Sequence, residues 1–259
     1  MTTIVARAAE SNHWYHRNGQ PAYSVIGANG KERPTTLRDA RKMNLVPSVT
    51  TIIKSAASPG LEAWKLNQMM LAALTLPRVA DEPEEEFIAR IQRDSKEHAK
   101  MAAERGTEVH TAIESMYSGV MHAEYADHQA GVYREIEKQF GITEFQPEKA
   151  FSHEIGFGGK VDLFTPDYKD CGLVIDIKTK EFSDPAKVAG YDEHMMQLAA
   201  YRVGLGIPNA DCANVFVSVT VPGLVVVNKW SQEDLARGWV MFESLLNYWK
   251  AKNQYEVTA

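Results

Sequence analysis

The hydrophobic pattern of the chain changes after Gly141 from a helical to a strand-like period. From that point on, apolar residues form short stretches separated by glycine, proline and aspartate, which is typical of strands joined by tight turns. The predicted strands are 148–155, 160–165, 173–178, 213–220 and 224–230, with a helical stretch at 185–205 and a closing helix from Ser231. This order of elements predicts an α/β fold.

Before Gly141 the pattern is mainly helical. The predicted helices are 61–76, 83–118 and 127–140, with two short helices, one opened by Thr35 or Thr36 and one at the sequence Pro47-Ser48-Val49-Thr50. The dipeptide Asn18-Gly19 lies between two aromatic stretches, 13–16 and 23–26, and predicts a small hairpin.

Two of the predicted strands carry acidic residues in apolar surroundings: Asp162, and the tripeptide Asp176-Ile177-Lys178. Residues two apart on a strand share a face, so Asp176 and Lys178 project together, and a neighbouring strand could bring Asp162 beside them. Two carboxylates and an ammonium group suit the divalent-metal hydrolysis of a phosphodiester, because the acids hold the cation while the lysine orients or activates water. An acid-x-lysine pattern also occurs on solvated strands, so the pattern alone leaves both interpretations open.

Two helices carry further polar pairs at the spacing of one helical turn. His110 and Glu114 share a face of the helix before the strands, and imidazole is a good ligand for Mn²⁺. Gln197 and Tyr201 repeat the spacing on the helix after the third strand, where an amide and a phenol can hydrogen-bond a phosphate or brace a metal site. Each pair, taken alone, also fits a purely structural role.

In this order, the motifs resemble the PD-(D/E)XK nuclease superfamily and, within it, the RecB-like exonuclease branch. The residues that carry the resemblance are Gly106, His110, Glu114, Asp162, Asp176, Lys178, Gln197 and Tyr201. The stretch Pro47-Ser48-Val49-Thr50-Thr51-Ile52, with Leu61 and Trp64, is similar to the start of phage and mitochondrial genome-maintenance exonucleases of this branch. Val161 stands where the superfamily's name has proline, a change that removes no metal ligand.

The resemblance implies a restriction-endonuclease-like core at 96–259, in which a mixed central β-sheet is flanked by helices. It also implies a hairpin and largely helical extension at 1–95, packed on the core and contributing to nucleic-acid binding.

The resemblance further implies roles for individual residues. One or two Mg²⁺ or Mn²⁺ ions would bind His110, Asp162, Asp176 and the backbone carbonyl of Ile177. Lys178 would position or deprotonate water, and Glu114 would orient a ligand or Lys178. The implied catalytic residues are Lys178, Asp162, Asp176 and Glu114, and the implied nucleic-acid contacts are Gln197, Tyr201, Ser48 and Thr50.

Other features of the sequence argue against several cofactors and compartments. Cys171 and Cys212 are the only cysteines, too few for the iron–sulfur cluster of some relatives, and no phosphate-binding Gly-x-x-x-x-Gly-Lys-Ser/Thr motif occurs, so we expect neither an iron–sulfur cluster nor a nucleotide cofactor. No apolar run approaches the roughly eighteen residues of a membrane helix, and residues 1–10 have no stretch like a signal peptide. We therefore expect a protein of the bacterial host cytoplasm.

The charge distribution leaves a nucleic-acid partner open. The net charge is −6, but residues 1–58 hold eight lysines and arginines against three acidic residues, a local charge of +5. With the motifs, this gives the hypothesis of a metal-dependent DNA exonuclease that degrades linear DNA in phage or prophage recombination or replication, with a single-strand annealing protein as a candidate partner. The alternatives are a structure-selective endonuclease on the same site, a DNA-binding recombination scaffold without activity, and an RNA-processing nuclease.

Overall fold

A five-stranded mixed β-sheet with helices around it organises the protein, which confirms the predicted α/β class. The computed structural model describes residues 13–57 and 59–256, without the side chains of His98 and Ala99. The strands are β1 (Trp14–Tyr15), β2 (Ser24–Ile26), β3 (Glu32–Pro34), β4 (Val46–Pro47), β5 (Gln146–His153), β6 (Phe157–Thr165), β7 (Leu173–Lys180), β8 (Asp211–Ser218) and β9 (Val225–Trp230). The helices are α1 (Leu37–Met43), α2 (Val49–Ile53), α3 (Pro59–Thr75), α4 (Glu84–Tyr117), α5 (Ala126–Phe140), α6 (Asp192–Gly204) and α7 (Gln232–Asn253).

The strands of the main sheet lie in the order β5-β6-β7-β8-β9. All neighbours are antiparallel except β7 and β8, which are parallel. A parallel pair needs a crossover between its strands, and α6 provides it. In the resulting register, Asp176 of β7 lies beside Asn214 of β8.

Alternating side chains divide the sheet between two apolar clusters, one on each face. Val174 belongs to the cluster that contains residues of α2, α6 and α7. Ile175 and Ile177 belong to the cluster that contains Val109 and Ile113 of α4, together with residues of α5. Because successive strand residues point to opposite faces, Asp176 shares the α6 side with Val174. The sheet therefore presents the Asp-x-Lys motif to α6.

The hairpin predicted around Asn18-Gly19 is present, but its second arm is 20–22 and not 23–26. The N–H of Ala22 donates to the Trp14 carbonyl and the N–H of His16 donates to the Gln20 carbonyl. The turn at Asn18-Gly19 is present, since the N–H of Gly19 donates to the His16 carbonyl. However, β1 pairs with the distant β4, and β2 pairs with β3. The stretch from Ser24 to Ile26 is mainly exposed, so it has little apolar surface to bury against β1.

Two compact units divide the described chain. One contains 57–108 without Ser58, and the other contains 13–56 with 109–256. The predicted boundary between an extension at 1–95 and a core at 96–259 stays a prediction, and residues 1–12 and 257–259 lie outside the described part of the chain. Among the described helices, none combines the length and apolar character needed to cross a membrane.

Candidate metal centre

The candidate site lies where the hydrogen-bond ladder between β6 and β7 ends. The last paired residues are Leu163 and Ile175. Beyond this pair, a side chain replaces the backbone acceptor: Oδ2 of Asp162 accepts the N–H of Ile177 at 2.6 Å. The N–H and C=O of one strand residue face the same neighbouring strand, so the Ile177 carbonyl is directed toward β6 as well. The gap between the strands thus gathers a carboxylate and a main-chain carbonyl.

Helix α4 brings a histidine and a glutamate to the same carboxylate. Val109 and Ile113 of this helix are buried, which fixes the orientation of the adjacent His110 and Glu114. Nε2 of His110 lies 3.2 Å from Oδ2 of Asp162, and Nδ1 lies 3.6 Å from Oε1 of Glu114. The three residues each offer one ligand atom, and these three atoms lie within 4.8 Å of one another. We call His110, Glu114 and Asp162 the three-ligand cluster.

The electrostatics of the three-ligand cluster favour a positive charge between its carboxylates. Burial alone lowers the pKa of His110, but the charges and hydrogen bonds of Asp162 and Glu114 outweigh it and raise the pKa to about 10. Burial also opposes ionisation of Asp162, yet His110, Lys178 and the Ile177 N–H hold the pKa of this carboxyl below its usual value. The protonated imidazole of His110 therefore supplies the positive charge between the two carboxylates when no metal ion is bound.

The second carboxylate, Asp176, is only 1% exposed and is held by three donors. Its Oδ1 accepts from Nζ of Lys178 at 2.9 Å and from Nε2 of Gln197 at 2.8 Å. Its Oδ2 accepts from Nδ2 of Asn214 at 2.7 Å. A carboxylate has about four lone-pair positions, so these three bonds leave one position on Oδ2 for a further partner. We call Asp176, Lys178, Gln197 and Asn214 the Asp176 network.

The pKa of Asp176 is raised to about 6, in contrast to that of Asp162. Burial is the main cause, and the negative charge of Asp162 adds to it, while Lys178 and His110 oppose it. A buried carboxylate with a raised pKa is stabilised by any additional positive charge nearby. A bound cation nearby would therefore favour the ionised form of Asp176.

Helix α6 supplies the polar face of the Asp176 network. Oε1 of Gln197 accepts from Lys178 at 3.0 Å, and its Nε2 also donates to the Tyr201 hydroxyl at 2.8 Å. Tyr201 is only 5% exposed, and its ring packs edge-on against Phe151. In this arrangement Tyr201 braces Gln197, and its hydroxyl is covered. The predicted contacts of Gln197 and Tyr201 with nucleic acid stay predictions.

The remaining sequence candidates lie outside these two groups. Ser48 is buried, and its Oγ accepts the N–H of Thr51 at 3.0 Å, so it caps α2. Thr50 is half-buried, and its hydroxyl lies 3.0 Å from the Ser48 hydroxyl. Gly106 is buried on α4, one turn before His110. The predicted nucleic-acid role of Ser48 and Thr50 is untested by this geometry, and capping accounts for the buried hydroxyl of Ser48.

The sequence-based reasoning missed Asn214, which is completely buried and hydrogen-bonded to Asp176. A signal for it was present, since the neighbours Ala213, Val215 and Phe216 make the strand apolar. A buried amide costs free energy unless it is hydrogen-bonded, so an asparagine in such a strand indicates a polar partner nearby. Its identity could not be read from the sequence, because it depends on the register between β7 and β8.

Comparison with known proteins adds little to this description. No protein-family model matches the chain, and no curated protein matches it. Among solved structures, the chain is similar to the crystal structure of SSO0001, with 14% identity, coverage of 71% of this chain and 86% of that chain, and a TM-score of 0.30. So low a TM-score supports no conclusion about fold or activity, and the candidate site therefore rests on the geometry of this chain.

Proposed function

We propose that the protein is a metal-dependent phosphodiester hydrolase with a restriction-endonuclease-like core. The observation that carries the proposal is that two groups meet where the β6–β7 ladder ends: the three-ligand cluster and the Asp176 network. Within this class, we assign it as a DNA exonuclease, because its ordered motifs resemble the RecB-like exonucleases.

The donor set fits a divalent cation. Asp162 and Glu114 supply carboxylate oxygens, and His110 supplies an imidazole nitrogen, all within 4.8 Å of one another. Carboxylate oxygens suit Mg²⁺ and Mn²⁺, and the imidazole favours Mn²⁺ over Mg²⁺. Their charges are only partly balanced by one imidazolium, so a divalent cation would improve the balance. His110 would have to release its proton, since a metal ligand must be the neutral imidazole.

The residues of the chain also supply the other needs of phosphodiester hydrolysis. A bound divalent cation would stabilise the negative charge that develops on the phosphate in the transition state. Lys178 has three N–H donors, of which Asp176 and Gln197 take two. The third is available to orient water or to hydrogen-bond a phosphate oxygen. As an ammonium, Lys178 acts as a donor, and it could accept a proton from water only after losing one of its own.

The assignment to linear DNA extends this chemistry to a substrate and a setting. The motif resemblance supports an exonuclease of phage recombination or replication in the cytoplasm of a bacterial host, with a single-strand annealing protein as candidate partner. The acidic net charge of −6 makes broad electrostatic coating of DNA unfavourable, so binding would depend on local contacts near the site.

A cleavage assay tests the proposal. Wild-type protein and Lys178→Ala are incubated separately with end-labelled linear DNA and with closed circular DNA, in Mg²⁺, in Mn²⁺ and in EDTA. We expect the wild type to degrade linear DNA only with a metal and to leave closed circles intact. Lys178→Ala should lose about a hundredfold or more of the rate, in the range typical for loss of a proton-transfer or positioning group.

Lys252→Ala is the matched control, since Lys252 is exposed on the last turn of α7. It should cleave at the wild-type rate. Cleavage of closed circles would replace the exonuclease by an endonuclease on the same site. Absence of wild-type cleavage with both metals, or full activity in Lys178→Ala, would refute the assigned chemistry.

A further inference from the structure

Asn214 connects the Asp176 network to the edge of the sheet. It lies on β8 directly beside Asp176, is fully buried, and donates from Nδ2 to Oδ2 of Asp176 at 2.7 Å. Its other side-chain atom, Oδ1, accepts from Nε1 of Trp230 on β9 at 2.7 Å. The two bonds form a chain from Trp230 through Asn214 to the carboxylate.

The chemistry of the indole fixes the orientation of this amide. The Nε1–H of Trp230 can only donate, so the amide atom that faces it must be the oxygen of Asn214. The NH₂ group of Asn214 therefore faces Asp176. The opposite orientation would place a donor against the indole N–H and an oxygen against the carboxylate, which would be unfavourable at both ends.

Gly190 leaves room for the indole that sets this orientation. A Cβ added at Gly190 would lie 2.4 Å from Cζ2 of Trp230 and 2.9 Å from Nδ2 of Asn228. Such distances are far below van der Waals contact, so any larger residue at 190 would displace the ring. In the segment before α6, the absence of a side chain at Gly190 thus lets the backbone pack against Trp230, which orients Asn214.

We propose that Asn214 is a positioning residue that fixes the Asp176 carboxylate for cation binding. This inference rests on the proposed function and deepens it. Lys178 and Gln197 both bond to Oδ1, so Asn214 is the donor that determines which lone pair of Oδ2 stays available. Without Asn214, the carboxylate could rotate about its Cβ–Cγ bond and Oδ2 would lose its fixed direction. Trp230 acts one step further away, by holding the amide.

The test compares Asn214→Leu and Trp230→Phe with the wild type. Leucine keeps the branched shape of the Asn214 side chain but removes both its donor and its acceptor. Phenylalanine keeps an aromatic ring and removes the indole N–H. We expect Asn214→Leu to weaken Mn²⁺ binding about 10–100-fold, as is typical for outer-shell partners of metal ligands. Trp230→Phe should change Mn²⁺ affinity in the same direction by a smaller factor. The DNA KM should stay near the wild-type value while kcat falls in both variants.

Asn228→Ala is the matched control, since Asn228 lies opposite Asn214 on β9. It should leave Mn²⁺ affinity and kcat unchanged. Binding is measured by electron paramagnetic resonance of free Mn²⁺, and far-UV circular dichroism checks that each variant is folded. If Asn214→Leu does not fold, Trp230→Phe decides the question by itself.

The outcomes separate this inference from the proposed function. An active wild type with Mn²⁺ affinity and kcat within about twofold in both variants would overturn the role of Asn214 and leave the nuclease assignment intact. A wild type that binds Mn²⁺ but cleaves no DNA would refute the nuclease assignment. In that case, weaker Mn²⁺ binding in the two variants would still support the positioning role.

Discussion

Asp162 and Asp176 lie on neighbouring strands in similar apolar surroundings, yet their environments are opposite in character. Asp162 is held by an imidazolium and a main-chain N–H, and its pKa is lowered. Asp176 is held by Lys178 and two neutral amides, and its pKa is raised to about 6. The ionised form of aspartate is thus favoured on β6 and disfavoured on β7.

The two carboxylate environments together favour the binding of a cation. The three-ligand cluster already contains a positive charge on His110, which a metal ion would replace with a larger one. Asp176 has one remaining lone-pair position and an unfavourable ionised form, so it gains from a cation without losing its three donors. A cation held by the three-ligand cluster would therefore replace the proton of His110 and, through its charge, favour the ionised form of Asp176.

The largest effect should come from substituting Asp162. In Asp162→Asn, the three-ligand cluster loses an anionic ligand and His110 loses one of its two charge partners. We expect kcat for linear DNA to fall at least about a thousandfold, because several kcal/mol of charge stabilisation is lost at 1.36 kcal/mol per tenfold. Mn²⁺ affinity should fall more in Asp162→Asn than in Asp176→Asn.

The exposed Asp167 provides the control for this pair, since Asp167→Asn removes an acid in the turn that follows β6. Single-turnover cleavage and Mn²⁺ titration should give wild-type values for it. Equal losses of Mn²⁺ affinity in Asp162→Asn and Asp176→Asn would show that the two carboxylates are equivalent ligands. That result would contradict the different roles assigned to them.

A smaller effect should distinguish the helices that serve the two carboxylates. Glu114→Gln on α4 should weaken Mn²⁺ binding about 10–100-fold. Gln197→Leu on α6 should lower kcat more than Mn²⁺ affinity, because it frees Lys178 and removes one of the donors to Asp176. The control is Glu104→Gln, an exposed acid on α4. If Gln197→Leu weakened Mn²⁺ binding more than Glu114→Gln, the roles of the helices would be reversed.

The elements of the fold were largely predictable where the pattern is local. The predicted strand 173–178 corresponds to β7, Leu173–Lys180, because a short, mainly apolar run marks it. The predicted helix 185–205 is instead divided into a short 3₁₀ turn, Pro185–Lys187, and α6. Between them lies Gly190, packed against Trp230 from a distant strand. Long-range contacts of this kind, like the pairing of β1 with β4, leave no local signal.

Most members of the candidate site were predicted from the sequence, but Asn214 and the division into two groups were not. The spacing of His110 and Glu114 placed them on one face, and the structure brings both to Asp162. The sequence placed Asp176 and Lys178 on one face of a strand, but it did not indicate that Gln197 and Asn214 would complete the surroundings of Asp176. That division arises from the end of the β6–β7 ladder and from the helix that covers each side, which are tertiary features.

The two carboxylate environments should also differ in how stability depends on pH in EDTA. The pKa of His110 is raised from 6.5 to about 10, so its contribution is fully present below about pH 6.5 and is lost as the pH rises toward 10. The pKa of Asp176 is raised from 3.8 to about 6, so its contribution is present below about pH 3.8 and is lost by about pH 6.

Urea unfolding of the wild type, His110→Gln and Asp176→Asn across these windows checks the signs. His110→Gln should flatten the fall in unfolding free energy between about pH 6.5 and 10, and Asp176→Asn should flatten the fall between about pH 3.8 and 6. The two windows would then assign one titration to each side of the site. If the difference in unfolding free energy between the wild type and either variant did not decrease as the pH rises through the corresponding window, that shift would be contradicted.

The smallest effect on activity should come from Gly159→Ala, which acts on the Asp176 network from a distance. A Cβ at this position would lie 2.9 Å from ring atoms of both Phe151 and Tyr201. Overpacking of this kind costs typically about 1–3 kcal/mol of stability. Because Tyr201 braces Gln197, a displaced ring should lower kcat severalfold while Mn²⁺ binding by the three-ligand cluster stays unchanged. Unfolding in urea measures the loss of stability, and Mn²⁺ titration measures metal binding. Weakened Mn²⁺ binding would mean that a shift in the Asp176 network also displaces the three-ligand cluster.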